Sequence, residues 1–279
     1  MAAALSEKIT MNKINRRNFV RNSAIAAAGI SAVPFSVSGS SGKSISPSLK
    51  RKKVLYVYGG WDGHEPKQSI DVFVPWMRSE GAEVTVSDTL DSYLDKDLMA
   101  SVDLILQIWT MGKITNEQEK ALLEAVKGGT GFAGWHGGIG DSFRNNVAYQ
   151  FMVGGQWVAH PGGVIDYRVC ISKRKDEVTK NIKDFDMHSE QYYMHVDPNV
   201  KVLAYTQFSG EHAAWIDGCT MPVVWKKFYG KGRIFYSSLG HVMKDFAVSE
   251  VLEIQKRGIR WAAESKYMNK EKWVTPVYG

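Results

Sequence analysis

The fold of this chain is decided by one stretch, Gly134-Trp135-His136-Gly137-Gly138, which ends an apolar run and begins a glycine-rich turn. Glycines on both sides of a central residue are typical of a nucleophile elbow, a sharp turn between a strand and a helix that presents one side chain. His136 occupies the centre, so this turn can bind a metal or transfer a proton, but it lacks a thiol nucleophile. The alternative is that the glycines merely permit the turn and that His136 is incidental.

Upstream of this turn, the sequence alternates between predicted strands and helices. Residues 54–58 form a continuous apolar run, which indicates a strand buried on both faces. Pro66 begins a helix that Gly81 ends, and a capping box of Thr115 and Gln118 begins another. The other strands predicted here cover residues 83–86, 102–108 and 130–135. This order predicts an α/β fold with a doubly wound, mostly parallel sheet.

Downstream of the turn, the sequence is richer in strands, which are predicted at residues 164–171, 200–205, 223–228 and 233–237. Tyr229-Gly230-Lys231-Gly232 predicts a hairpin between the last two strands. An amphipathic helix is predicted over residues 248–263. We therefore expect one domain over residues 51–270, with an antiparallel extension of the parallel sheet, and a C-terminal tail over residues 271–279.

The charge of the chain is concentrated at its beginning. The 279 residues carry a formal net charge of +6, but residues 1–50 hold seven lysines and arginines and a single acid, so the remainder is neutral. A neutral body lacks the broad basic surface that nonspecific binding to nucleic acid requires. No nucleic-acid partner is therefore expected.

Residues 1–50 have the organisation of an export signal and linker. Arg16 and Arg17 precede an apolar stretch over residues 24–33, which is too short to span a bilayer, and a segment rich in proline, serine and glycine follows. The paired arginines resemble a twin-arginine signal, which predicts a periplasmic protein that does not span the membrane. A tail on a cytoplasmic protein is the alternative. Cys170 and Cys219 lack metal-ligand spacing, and their pairing stays open.

The residues that follow the predicted strands are the first candidates for a site, because open α/β sheets bind ligands beyond the carboxyl ends of their strands. Trp61, Asp62 and His64 follow the first strand, and Trp109 and Thr110 follow the third. We expect these five residues to contact the substrate, with the tryptophans offering apolar faces to a ring.

Three stretches in the second half supply further candidates. Trp157 and His160 lie in a glycine-rich segment that ends in His-Pro. We expect Trp157, like Trp61, Trp109 and Tyr192, to bind the substrate through its apolar face, and a structural loop histidine is the alternative for His160. Glu190 and Tyr192 lie in a run of acids, histidine and aromatics, which suits metal or proton chemistry and stacking on a sugar, or else a polar turn at a strand edge. His241 directly follows the last predicted strand.

Taken in order, six stretches resemble the ThuA-like (trehalose utilisation) family, namely residues 59–64, 109–112, 134–138, 155–161, 188–192 and 240–241. The resemblance covers nearly all of residues 54–263. It implies a flavodoxin-type, class I glutamine amidotransferase-like fold without the cysteine nucleophile, and a role in disaccharide catabolism through oxidised (keto) sugars. The sequence departs from the family pattern at Gln191, which separates Glu190 from the aromatic pair. The site residues implied by the resemblance are His64, His136, His160, Glu190 and His241.

The leading hypothesis is an exported enzyme that acts on a disaccharide, a glycoside or its keto derivative by hydrolysis, elimination or isomerisation. We expect His136, Glu190 and His241 to be catalytic and, together with His160, to bind one divalent metal. Zinc suits three imidazoles and one carboxylate, with manganese and iron as alternatives, and no nucleotide is expected. The alternative function is a non-catalytic carbohydrate-binding or accessory protein, which needs aromatic side chains but no cluster of imidazoles. The sequence leaves the oligomeric state open.

Overall fold

The structure is a computed structural model that describes residues 47–173, 175–269 and 271. The predicted export signal and most of the C-terminal tail lie outside the described residues. The strands are β1 (Lys53–Gly60), β2 (Glu83–Ser87), β3 (Leu104–Thr110), β4 (Gly131–Trp135), β5 (Gly155–Ala159), β6 (Val164–Ile171), β7 (Phe185–Glu190), β8 (Tyr193–Val196), β9 (Lys201–Gln207), β10 (Thr220–Tyr229) and β11 (Gly232–Ser237). The α-helices are α1 (Gln68–Ser79), α2 (Lys96–Ser101), α3 (Asn116–Gly128), α4 (Gly137–Gly140), α5 (Val147–Val153) and α6 (Ser249–Ala263).

Nine of these strands form one mixed sheet in the order β2-β1-β3-β4-β11-β10-β9-β6-β7. The first five strands in this order are parallel, and the other four continue the sheet in antiparallel pairing. β5 and β8 form a separate antiparallel pair. The predicted α/β fold class, a mostly parallel sheet with an antiparallel extension, is confirmed.

The core lies on both faces of the sheet, which explains the continuous apolar run of β1. Val54 and Tyr56 face one buried cluster, together with side chains of α1 and α6. Leu55 and Val57 face the other cluster, which includes side chains of α3. Because successive side chains of a strand point to opposite faces, a strand covered on both sides is apolar throughout.

The parallel strands place their carboxyl ends at one edge of the sheet, and this edge carries the candidate residues. Thr110 is the last residue of β3, and His136 directly follows β4. The last strand in the chain, β11, lies beside β4, so the loop that follows it, with His241, arrives next to the elbow. The order of the strands therefore brings together residues that are far apart in sequence.

The sequence predicted no strands at two places that carry site residues. β5 follows Gly154, and its side chains are half-buried or exposed, so it has no apolar pattern to detect. In β7 the inward side chains alternate with Asp186 and His188, which are exposed, and the segment is too polar to be recognised as a strand. Glu190 is the last residue of this strand, not part of a polar turn.

Candidate functional site

The elbow holds His136 in a backbone conformation that few residues other than glycine adopt. Its φ and ψ angles are 47° and −137°. The His136 N–H donates to the Ser237 carbonyl of β11 at 2.7 Å, which fixes the turn to the neighbouring strand. A non-glycine residue in such a conformation persists only where the surrounding structure imposes it, and functional sites are where such residues concentrate. The geometry therefore favours a functional role for His136 over an incidental one.

Two glycines of the elbow are required by close packing. A Cβ atom at Gly134 would overlap the backbone oxygen of Gln107 in β3. A Cβ atom at Gly137 would overlap the imidazole of His64. The first glycine lets β4 and β3 approach, and the second lets His64 reach the elbow.

The protonation of His136 follows from its hydrogen bonds. Nδ1 lies 2.8 Å from the carbonyl oxygen of Ser238, which can only accept, so Nδ1 carries the proton. Nε2 lies 3.0 Å from Glu190 Oε2. In a neutral imidazole this places a nitrogen lone pair against a carboxylate oxygen. Two acceptors at this distance require a cation between or beside them, either a proton or a metal ion.

Two more histidines complete this group. His241 Nδ1 lies 3.3 Å from Glu190 Oε2 and 3.3 Å from His136 Nε2. His64 Nδ1 is hydrogen-bonded to Thr110 Oγ1 at 2.9 Å, and its Nε2 lies 3.9 Å from Glu190 Oε2. One ligand atom from each of His64, His136, Glu190 and His241 lies within 4.8 Å of the other three.

His160 occupies a different position from the one predicted. Its Nε2 lies 3.8 Å from the other carboxylate oxygen, Glu190 Oε1, and its side chain is 37% exposed. It is outside the group of four, and His64 stands in its place. The predicted residues thus converge on one carboxylate, but His160 is on the solvent side of it.

Burial and charge set the protonation of the group. Burial, followed by the neighbouring imidazoles of His136 and His241, lowers the pKa of His64 to about 2. Burial also lowers the pKa of His136, against the hydrogen bond to Glu190. The pKa of His241 is raised, because the hydrogen bond and charge of Glu190 outweigh its burial. Burial raises the pKa of Glu190, but the contacts of its carboxylate with His136 and His241 outweigh burial and hold this pKa well below the usual value.

The donor set fits a divalent metal. His64 and His136 are buried and neutral, Glu190 is ionised, and each of the two imidazoles uses its Nδ1 for a hydrogen bond to the protein. A metal-binding histidine ordinarily has its second nitrogen hydrogen-bonded in this way. Three imidazole nitrogens and one carboxylate suit zinc, and manganese and iron also accept such ligands.

The predicted aromatic contacts divide into exposed and buried side chains. Trp61 is 47% exposed, and its ring lies edge-to-face with His64 at 4.8 Å. Trp157 is half-buried beside His160, and the indole N–H groups of Trp109 and Trp157 have no hydrogen-bond partner among the residues that the structure describes. Tyr192 is buried and stacks on His136 at 4.0 Å, so one face of its ring is covered by the imidazole. Its predicted stacking on a sugar stays untested.

Asp62 and Thr110 also differ in their exposure to solvent. Asp62 is exposed at the start of the loop after β1. Thr110 is buried, and its hydroxyl is used by His64. In this structure Thr110 positions a histidine, whereas Asp62 is free to meet a ligand from solvent.

Gln191 has a simple structural role. Its amide donates to Thr206 Oγ1 of β9 at 2.7 Å, away from the histidines. Because side chains alternate along extended backbone, Glu190 and Tyr192 on either side of it both reach His136. The extra residue therefore keeps the carboxylate and the aromatic ring in one site.

Asp245 is a positioning residue that the sequence did not reveal. Its Oδ2 accepts from the His241 N–H at 2.9 Å and from Ser189 Oγ at 2.6 Å, and its side chain is buried. Ser189 precedes Glu190, so one carboxylate oxygen ties the loop of His241 to the strand of Glu190. Only the tertiary structure brings these segments together, and no local motif signals it.

Fold and site together define a class of protein. A mostly parallel sheet with a glycine-flanked elbow after β4, and a histidine after β11, has the class I glutamine amidotransferase-like α/β fold, with histidine at the centre of the elbow. Within that class, the chain belongs to the ThuA family, described as trehalose utilisation, whose family model matches residues 53–262.

Solved structures support the same fold. The chain is similar to a ThuA-like protein from Bacteroides uniformis ATCC 8492, with 16% identity and a TM-score of 0.64 over 77% of this chain and 91% of that one. It is also similar to a ThuA-like protein from Parabacteroides merdae ATCC 43184, with 18% identity and a TM-score of 0.61 over 81% and 95% of the two chains. Comparison with curated proteins found no match. No helix among the described residues is long and apolar enough to cross a membrane.

Proposed function

We propose that this chain is an enzyme of carbohydrate catabolism that acts on a disaccharide or glycoside, or on its keto derivative, with one divalent metal. The observation that carries the proposal is the distance of 3.0 Å between His136 Nε2 and Glu190 Oε2, inside a group of three imidazoles and one carboxylate. A purely sugar-binding surface would need aromatic rings and hydrogen bonds, but no such convergence of titratable groups.

The metal would be held by His64, His136, Glu190 and His241. When bound, it would supply Lewis-acid polarisation of a substrate carbonyl. Tyr192, Thr110 and Ser238 hold the rings of these histidines, so the protein fixes their orientation before any substrate arrives.

Proton transfer would take place on the solvent-facing side of the Glu190 carboxylate. His160 lies beside Glu190 Oε1 and is partly exposed, so it can reach a substrate and exchange protons with water. On a keto sugar, His160 or Glu190 would remove the proton on the carbon next to the carbonyl. Elimination and isomerisation both begin with that step. Trp61 and Trp157 flank this opening and would pack against the sugar ring.

The cellular location belongs to the same proposal. Arg16 and Arg17, followed by the apolar residues 24–33, support export to the periplasm by a twin-arginine route. That route accepts proteins that fold before export, which suits an enzyme whose metal site exists only in the folded chain.

The decisive experiment is elemental analysis of the purified mature protein, combined with turnover of 3-keto-disaccharides before and after chelation. We expect about one divalent ion per chain, loss of turnover when it is removed, and recovery when it is restored. The His64→Ala variant should lose the ion, whereas His195→Ala, which removes an exposed histidine of β8 outside the site, should retain it. Protein without metal or turnover would refute the proposal, and saccharide binding without turnover would support the non-catalytic alternative.

Asp245 supplies a separate prediction about the metal. Asp245→Ala removes the acceptor that orients His241 and the strand of Glu190, so zinc affinity should fall by about 10–100-fold. Asp245→Asn retains an oxygen that can accept both hydrogen bonds and should restore most of the affinity. Competition with a chromophoric chelator measures both variants. An unchanged affinity in Asp245→Ala would show that Asp245 does not position the ligands.

A further inference from the structure

The exposed face of β7 begins at the candidate site and extends away from it. Side chains of a strand alternate, so Asp186, His188 and Glu190 share one face. In the antiparallel register with β6, Glu190 is opposite Val164 and His188 is opposite Asp166. Successive pairs on this face are roughly 7 Å apart along the strands. The two strands therefore carry a row of side chains from Glu190 outward.

This row is polar and bonded across the strands. His188 Nδ1 lies 2.7 Å from Asp166 Oδ1, and Arg168 donates to Asp186 at 2.8 Å. All four side chains are exposed. The pairs present both hydrogen-bond donors and acceptors to solvent, and they carry charges of both signs. A ligand with many hydroxyl groups can bind to such a surface, because each hydroxyl group both donates and accepts hydrogen bonds.

Four residues of this row line a groove of about 510 Å³, namely Val164, Asp166, Arg168 and His188, whereas Glu190 and Asp186 lie outside its lining. Gln207, Glu211 and His212, from the end of β9 and the loop that follows it, also line the groove. The volume is within the range of about 300–1,000 Å³ that small-molecule sites occupy.

The groove adjoins the site through three residues. Gln191, the neighbour of Glu190, lines it, and so does Val164, which is 47% exposed opposite Glu190. The imidazole of His212 lies so close to Gly162 that a Cβ there would overlap it, and Gly162 belongs to the loop that carries His160. The same loop thus borders the histidine group on one side and the groove on the other.

We propose that this groove is a second saccharide subsite, which holds the sugar ring next to the one that reacts at Glu190. The inference rests on the proposed function and narrows it to substrates of at least two rings. The subsite is built mainly of carboxylate, imidazole, amide and guanidinium groups, which hydrogen-bond to hydroxyl groups. The site at His160 would then take one ring, and the pair of Asp166 and His188 would contact the next.

Calorimetry on the Glu190→Gln protein, which should turn over substrate at least about a hundredfold more slowly, tests the subsite. The probes are 3-keto-glucose and 3-keto-trehalose. We expect the disaccharide to bind at least about tenfold more tightly, as two or three additional hydrogen bonds would allow. Adding Asp166→Ala and His188→Ala together should abolish this advantage and leave the affinity for the monosaccharide unchanged.

The matched control is Lys120→Ala with Glu124→Ala, which removes an exposed ion pair of α3 and should alter neither affinity. Equal binding of the two probes, or equal weakening of both by the Asp166 and His188 substitutions, would overturn the subsite. If the wild-type protein turns over 3-keto-trehalose with a KM that the double variant leaves unchanged, the subsite fails while the proposed function stands. If neither probe binds and no turnover occurs, both fail.

Discussion

Glu190→Gln should lower kcat/KM for a keto-disaccharide by about 10²–10⁴-fold while leaving the fold intact. Among the described residues, this carboxylate lies within 3.9 Å of all four site histidines, with His136, His241 and His64 at 3.0, 3.3 and 3.9 Å from Oε2 and His160 at 3.8 Å from Oε1. Glutamine preserves the size of the side chain but removes the negative charge and the capacity to accept a proton. Removal of a general base or a charged metal ligand costs about 10²–10⁴ in rate.

The experiment measures steady-state kinetics, metal content and thermal unfolding of the same preparations. Glu117→Gln is the matched control, because Glu117 is exposed in the first turn of α3 and takes no part in the histidine group or the groove. This control variant should retain the kcat/KM of the wild-type protein. Full activity in Glu190→Gln would show that the convergence of histidines on this carboxylate serves the fold and not the reaction.

Gly134→Ala should destabilise the protein by several kcal/mol, a large fraction of the stability of an ordinary domain. The added Cβ would overlap the backbone oxygen of Gln107 and the side chain of Ile139, and both lie in the buried core. Backbone cannot move aside as a flexible side chain does, so β4 would have to separate from β3. The elbow that carries His136 follows directly, and metal content should fall with stability.

Gly128→Ala is the control that separates this effect from the general cost of replacing glycine. Gly128 is the last residue of α3, and a Cβ there would meet nothing within 4 Å. Alanine at this position should leave stability unchanged or raise it by up to about 1 kcal/mol. Chemical denaturation of both variants measures the difference. Similar stability of the two variants would refute the role assigned to Gly134.

The fold could be predicted largely because the local sequence patterns agree with the tertiary packing of the segments that carry them. The apolar run of β1 reflects a strand covered on both faces, and the elbow at His136 reflects glycines that packing requires. Both patterns are visible in the sequence, because burial in β1 and close packing at the elbow each constrain residues that are adjacent in the chain.

The composition of the candidate site was harder to predict, because it depends on contacts between distant segments. His64 joins the group because Gly137 has no side chain, whereas β5 leaves His160 on the solvent side. Asp245 acts through one hydrogen bond to a backbone N–H and one to Ser189. No hydrophobic periodicity or local motif reflects such contacts. The sequence therefore predicted which residues converge, but not which four of them lie close enough to bind one metal ion.

The position of β11 beside β4 also has a consequence for the biosynthesis of this protein. β4 must leave the ribosome long before its partner does, since 102 residues separate His136 from Ser238 at the ends of the two strands. Until then, one edge of an entirely buried strand has no partner, and such edges invite pairing with other chains. The nascent chain therefore needs shielding by chaperones for more than a third of its synthesis, and a chain truncated before β11 should aggregate instead of forming a smaller domain.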